Sequence, residues 1–439
     1  MFKPKALGLI LLFTVNPPAT AENLLEVYQE ALLSAPQLKA AGFKLEVGAA
    51  EKGQALGQML PQVNGTANWS ENTLQQPNVP IPSQRLESYK GTRYFVSLTQ
   101  TLIDFGKFSE WQRTRELEKQ YEAEHIDTQQ NLMVDIINRY FSILDAEDQL
   151  RFIDQEKQAT ETYVEQINKL FAKQLAKITD VYEVEARLDQ IKADQIEAES
   201  LLSTAKEALK ELTNVDTGNL SRLREGIDYK ELDGKLEDWL QVALSQSPAL
   251  AVQRQAIAVA NGDLAVQRSK YLPVVDLQLY FYDTNTGYQS VLLSSEIKTQ
   301  VAAINVNVPI FSGGTTTERV NEAQGTLNIK KEENEAKIRA LIKETSEAFT
   351  LSNANAKRIR ASQKAVLSAG KSLEAMQSGF KYGVNTIRHV LEAQQDEFKA
   401  QRDLAKAKYN YIANRIRFLK AIGTINEDNL FEVNDWLTR

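Results

Sequence analysis

The stretch "INVNVPIFSGGTTTERVNEAQ", from Ile304 to Gln324, decides the fold. Ile304, Val306 and Val308 alternate with Asn305 and Asn307, the two-residue period of a strand with one apolar face. The pattern passes Pro309, breaks at Gly313-Gly314, and turns polar and helical with no loop between. What a strand running directly into a long charged helix means depends on whether it occurs once or twice.

It occurs twice. "ALLSAPQLKAA", from Ala31, matches "ALSQSPALAVQ", from Ala243, with Pro36 on Pro248 at an offset of 212. Leu60-Pro61 falls on Leu272-Pro273 at the same offset, and "LTQTLIDFGK" stands where "INVNVPIFSGG" stands in the second copy. "FAKQLAKITDVYEVEA", from Phe171, aligns with "FKYGVNTIRHVLEAQ", from Phe380, at an offset of 209. Repeats of about 200 residues are far longer than solenoid units, so the chain is a duplicated half-protein.

Each copy has one order of elements. A helix comes first (22–58; 236–270), closed by Leu-Pro, and a strand pair follows. Next is a very long helical run (107–171; 315–380), then a break and another helix (179–212; 386–421). Met133, Ile136, Ile137, Tyr140, Phe141 and Leu144 mark the buried stripe of the first long run, and Ile338, Leu341, Ile342 and Phe349 that of the second. A run of about 65 residues is roughly 100 Å long, so one long helix matches two shorter ones end to end. The copies span 22–213 and 236–423, with a linker at 214–235 and a C-terminal segment at 424–439.

The strands are expected near 62–72, 92–103, 274–284 and 298–311. Val275, Leu277, Leu279 and Phe281 oppose Asp276, Gln278, Tyr280 and Tyr282; Val63, Ala67 and Trp69 oppose Asn64, Thr66, Asn68 and Ser70. About 10 residues with one apolar and one polar face is the pattern of a transmembrane barrel wall. A half-buried soluble sheet alternates in the same way, but the helices spend their stripes on one another and leave nothing to cover four apolar faces. Four strands cannot close a barrel, and open edges cannot lie in lipid. Two chains give eight strands around a filled interior, whereas three give twelve and room for a passage. The hairpin loops "ENTLQQPNVPIPSQRLESYK" and "TNTGYQSVLLSSE" read as exposed. Gly313 and Gly314, with Pro309 ahead of them and Gly106 at the matching point of the first copy, are the expected bend between barrel and helices.

Composition sets the limits. The 439 residues contain no cysteine, which excludes disulfides and thiolate chemistry, and only two histidines, His125 and His389, which argues against a histidine metal site. A net charge of −7 points away from nucleic acid. Lys3 and Lys5, the apolar run 6–15 and Ala19-Thr20-Ala21 read as a signal peptide over 1–21. "SGGTTTE" lacks the lysine and spacing of a phosphate loop, and the many carboxylates read as solvated helix faces, so no enzyme activity and no cofactor are expected.

"NVPIFSGGTTTERVNEAQ", "GFKYGVNTIRHVLEAQ" and the C-terminal "AKAKYNYIANRIRFLKAIGTINEDNL" resemble the TolC family of outer-membrane efflux and secretion channels. The resemblance implies an α+β membrane protein, a homotrimer whose four strands per chain close a twelve-stranded barrel continued by a coiled-coil helical tunnel in the periplasm of a Gram-negative bacterium. It also implies outer-membrane lipid around the barrel, a periplasmic adaptor, and an inner-membrane transporter of ABC or RND type. In the family, an acidic pair three residues apart rings the periplasmic entrance, and a tyrosine, an arginine and an aspartate clasp neighbouring helices. The pair falls on His389 and Glu392; the clasp falls on Phe380, Asn385 and Asp180, beside Thr179. Phenylalanine has no hydroxyl to donate and asparagine no charge, so Arg388 is the expected substitute, reaching Asp180. Histidine changes charge near neutral pH, so His389 is expected to make selectivity pH-dependent. A periplasmic coiled-coil adaptor and a secreted fibrous protein are the alternatives, and neither has a use for four amphipathic strands.

Overall fold

The structure, a computed structural model, describes residues 22–75, 86–285 and 296–438. The expected signal peptide and ten residues of each hairpin loop, 76–85 and 286–295, fall outside them, and the described ends of the first loop belong to strands. The order of elements is α1 (Leu24–Ser34), α2 (Pro36–Gly57), β1 (Gln62–Gln75), β2 (Leu86–Ile103), α3 (Phe105–Ala172), α4 (Ile178–Thr213), α5 (Leu236–Gln246), α6 (Pro248–Ser269), β3 (Val274–Asn285), β4 (Glu296–Asn307), α7 (Thr315–Lys381), α8 (Ile387–Ala421) and α9 (Glu427–Asn434). None of the described helices is long and apolar enough to cross a membrane.

Three expected elements are corrected. The helix expected over 22–58 is two helices, α1 and α2, and that over 236–270 is α5 and α6. Both divide at a residue before proline: Ala35 takes ψ 114° and Ser247 takes ψ 119°. Proline disfavours helical backbone at the residue before it, so the repeat markers Pro36 and Pro248 are also helix breaks. The strand expected over 298–311 ends at Asn307, because Pro309 has no N–H for the ladder.

In space the chain forms two compact units, each drawing on both sequence copies. One comprises residues up to 40, 127–247 and from 340; the other comprises 41–126 and 248–339. The second unit holds one antiparallel sheet in the order β1-β2-β3-β4. Gln62 faces Thr99, Thr92 faces Asn285, and Val274 faces Asn307, so the central pairing, β2 with β3, joins the two copies. Among the described residues no strand pairs with the outer edges of β1 and β4. Within this unit Gly48 of α2 lies against Tyr121 of α3, where a Cβ would come within 2.8 Å of the ring, and Lys52 is 2.6 Å from Glu118. Ala260 and Leu264 of α6 pack on Ala323 and Leu327 of α7.

The first unit is built on the stripe read from α3. Met133, Ile136, Ile137, Tyr140, Phe141 and Leu144 are all buried, with Leu24, Leu209, Leu212, Tyr411 and Ile412 around them. The Tyr140 hydroxyl donates to the carbonyls of Glu22 and Ser221 at 3.0 and 2.9 Å, and burial holds its pKa well above the ordinary phenol value. The linker and C-terminal segment are parts of this unit: Leu220 bridges to Glu22 and Leu223 to Leu437. The α7 stripe differs from expectation. Leu341 is buried but Ile342 is exposed, and the buried line runs on through Thr345, Ala348, Ser352, Ala356 and Ile359. Steps of four, three, four, four and three residues are the mixed spacing of a coiled-coil seam. Small side chains along it are invisible to a search for large apolar ones.

Candidate functional site

Two turns in the first unit share one construction. Between α3 and α4, Gln174 takes φ 61° and the Leu175 N–H donates to the Leu170 carbonyl at 2.9 Å. Between α7 and α8, Gly383 takes φ 74° and the Val384 N–H donates to the Gly379 carbonyl at 2.8 Å. A left-handed residue with a hydrogen bond closing back over the last turn is the Schellman form of helix ending. Gln174 and Gly383 are 209 residues apart, the offset of the duplication. The same offset sets Asp180 against His389 and Glu183 against Glu392.

An apolar cluster fixes which way these helix starts face. Ile167, Val181, Val184, Ile387, Val390 and Leu391 are buried together, with Met376 and Phe380 packed against them. Burial of Ile387, Val390 and Leu391 turns Arg388, His389 and Glu392 outward, and all three are exposed. His389 and Glu392, at i and i+3, therefore share one exposed face of α8. Thr179 is also exposed, and Asp180 is half-buried.

Within the chain, the residues assigned to the clasp do not meet one another. The Asp180 carboxylate accepts from the Lys177 backbone N–H at 3.0 Å, capping its own helix. Arg388 reaches Glu183 instead of Asp180, its Nη2 lying 2.9 Å from Oε1. The cause is local: Asp180 is drawn back to the α4 start, and the longer Glu183 side chain one turn on is free to cross. Asn385 stays within its own turn, with Nδ2 3.3 Å from Met376 Sδ. Phe380 is packed into the apolar cluster.

A second set of polar residues escaped the sequence reading. Glu156 of α3 is 3% exposed, and its carboxylate accepts from Arg187 of α4 and, at 3.0 Å, from Arg402 of α8. Gln394 of α8 donates to the Glu156 carbonyl at 3.3 Å and to Thr160 Oγ1 at 3.1 Å. The signal was present: Glu156, Thr160, Tyr163 and Ile167 follow seam spacing, and a carboxylate in a seam must be paired. Tyr163 adds a further tie, accepting from Gln377 Nε2 of α7 at 2.7 Å, and burial raises its pKa.

The backbone differs between the two copies at the residues expected to form the bend. Gly313 and Gly314 take φ 61° and 81°, a backbone that favours glycine. Pro309 lies in the irregular stretch ahead of them. Gly106 does no such bending; it is the second residue of α3, with no left-handed backbone. Asp104 Oδ1 accepts from the N–H groups of Gly106 and Lys107 at 2.8 and 3.1 Å, so the first copy starts its helix with a side-chain cap. A Cβ on Gly106 would come within 3.0 Å of Asp104 Oδ1 and 3.1 Å of Ser269 Oγ, so a larger residue there would have to shift one of these side chains.

The comparisons agree with this architecture. The model of the family described as outer membrane efflux protein matches residues 27–215 and 239–424, one segment per copy. The outer membrane protein TolC of Vibrio cholerae is 30% identical, over 99% of this chain and 97% of its own. The proteases secretion protein PrtF of Dickeya chrysanthemi is 25% identical, over 95% of this chain and 92% of its own. In fold, the CmeC outer membrane channel of Campylobacter jejuni superposes with a TM-score of 0.81 at 19% identity, covering 95% of this chain and 90% of that one. With a duplicated strand-to-helix junction, a four-stranded sheet whose outer edges pair with no described strand and a family match to each copy, the chain belongs to the outer membrane efflux protein family.

Proposed function

We propose that three copies of this chain form a passive exit duct whose periplasmic entrance is governed by the exposed start of α8. The chain is an outer-membrane channel protein of the TolC type, which works as a trimer with an adaptor and an inner-membrane transporter. The outer edges of β1 and β4, which pair with no described strand, carry this reading, because only pairing between copies satisfies their backbone groups in lipid. In this duct Glu392 supplies a ring of three carboxylates that draws cations into the constriction, and His389 beside it moderates the ring's charge with pH. Leu175, Tyr382 and Val384, in the two turns, are 72%, 79% and 80% exposed; these apolar tips are the docking points for the adaptor that opens the duct. The transporter, of ABC or RND type, supplies energy and chooses the cargo, which is exported protein or small molecule.

Single-channel recording in planar bilayers tests the entrance. Glu392→Gln should cut the preference for potassium over chloride several-fold at pH 8. His389→Ala should remove the change in preference between pH 5 and pH 8. Selectivity that survives Glu392→Gln, or a pH profile indifferent to His389→Ala, refutes the respective role.

A further inference from the structure

The polar face of the sheet contains three aromatic rings that the duct reading does not use. Phe95 of β2 lies 4.7 Å from Tyr282 and 5.7 Å from Tyr280, both of β3, measured between ring centroids. The register explains the contact: Phe95 faces Tyr282, and Ser97 faces Tyr280 on the adjoining same-face rung. The residues around them are those of a wetted wall. Thr66 and Asn64 flank the rungs on β1, and Thr299 and Val301 on β4. The opposite face holds Val63, Val96, Leu98, Leu279, Phe281, Ile304 and Val306, so it is the one that meets lipid. The ring cluster therefore faces the lumen.

Charge selects what such a patch would hold. Between the rung of Arg93 and the rung of Asp276, these two are the charged residues on this face. Arg93 stands one same-face step from Phe95, opposite Thr284 and diagonal to Tyr282. It is exposed, and no described carboxylate pairs with it. Asp276 lies on the far side of the rings, four residues from Tyr280 along β3. A guanidinium beside stacked rings recognises a planar aromatic anion: the rings take the aromatic face and the arginine takes a carboxylate or sulfonate. We propose that Phe95, Tyr280, Tyr282 and Arg93 form a low-affinity site for aromatic anions on the lumen wall, repeated three times in the trimer. The site rests on the duct reading only in that the polar face must line the lumen.

The competing account is that the rings merely pack neighbouring strands together, as cross-strand aromatic pairs do. A binding measurement on the full trimer in lipid nanodiscs separates the two, with the water-soluble dye 8-hydroxypyrene-1,3,6-trisulfonate as probe, read by anisotropy against empty nanodiscs. Saturable binding is expected, at least fivefold weaker in Arg93→Gln and in Tyr282→Leu but retained in Tyr282→Phe. Citrate, of similar charge but without a ring, should displace the dye at least tenfold less well than 1,5-naphthalenedisulfonate. Equal displacement by the two anions, or binding unchanged in both Arg93→Gln and Tyr282→Leu, overturns the proposal. So does an absence of binding to protein that conducts ions in bilayers, whereas protein that conducts none would indict the duct instead.

Discussion

Replacing Glu156 by glutamine keeps the side-chain volume and removes the charge that Arg187 and Arg402 share. One of the two acceptor oxygens becomes an amide NH2 that cannot accept, so one charge-assisted hydrogen bond, with a net value of about 1.5–3 kcal/mol, is lost and the other is weakened. Against this, the buried carboxylate no longer has to be stripped of water, a cost of several kcal/mol. Removing one member of a fully buried pair costs about 3–5 kcal/mol because the survivor is stranded. Here the survivors are not fully stranded: the Arg187 and Arg402 side chains keep 19% and 26% exposure and can rehydrate. The expected loss is therefore about 2 kcal/mol, or roughly 30-fold in a local opening equilibrium. The loss is local because the triad ties α3 and α4 to α8, while the Gln394 bonds to the Glu156 carbonyl and Thr160 remain. Hydrogen exchange on the detergent-held trimer should show faster exchange in α8 around residues 394–405 and in α4 around Arg187, with the sheet unchanged. Arg402→Gln leaves Glu156 one partner and should cost about half as much, and the two changes should couple in a double-mutant cycle. Unaltered exchange in α8 of Glu156→Gln, or strict additivity with Arg402→Gln, would refute the view that this buried charge holds the helices together.

The matched turns predict opposite responses to reciprocal substitutions. Gly383→Gln forces a side chain into left-handed backbone and should cost about 1–2 kcal/mol, whereas Gln174→Gly relieves the same strain and should stabilise by about 0.5 kcal/mol after the entropy of glycine is counted; thermal midpoints of the trimer measure both. Asp145 has its pKa raised, chiefly by burial and against the hydrogen bond from Gln149. A carboxylate raised in the folded state favours folding when protonated, and this contribution is lost as pH climbs through the folded value. Asp145→Asn should therefore raise the thermal midpoint at pH 8 by more than at pH 4, and an equal change at both would remove burial as the cause.

Much of the architecture was legible because its signals are periodic and repeated. Strand alternation at Ile304, Val306 and Val308, the stripe from Met133 to Leu144, and the offset of 209 each depend on residue type at fixed spacing, which survives divergence. What was missed depends on single atoms. Pro36 and Pro248 were visible as markers of the repeat, yet their consequence lies in the backbone of the residue before them. The α7 seam runs through Thr345, Ala348 and Ser352, which allow close approach and leave no hydrophobic trace. Phe95 was passed over because a ring on a polar face fits neither half of an alternating pattern, and only the register shows it meeting Tyr280 and Tyr282.

The entrance shows how duplication and divergence divide the work between the copies. The offset gives two pairs of equivalent positions at the starts of α4 and α8, Asp180 with His389 and Glu183 with Glu392, and three of the four are carboxylates. In the first copy both carboxylates are committed, Asp180 to the Lys177 N–H and Glu183 to Arg388. In the second copy no described cation pairs with Glu392, and both Glu392 and His389 are exposed. A carboxylate already paired with a guanidinium adds little to the field felt by a passing ion, since the pair is nearly neutral at a distance. In the proposed duct the cation preference of the trimer then rests on Glu392. Glu183→Gln is the discriminating case: it frees Arg388 three residues from the Asn385 turn and four from Glu392, placing an unpaired positive charge on the same helix start. Bilayer recordings of this variant should show a weaker cation preference than the parent even though the carboxylate lost was not itself part of the ring. A preference unchanged by Glu183→Gln would mean that Arg388 was never neutralised by its partner, and the assignment of the ring to Glu392 would lose its electrostatic basis.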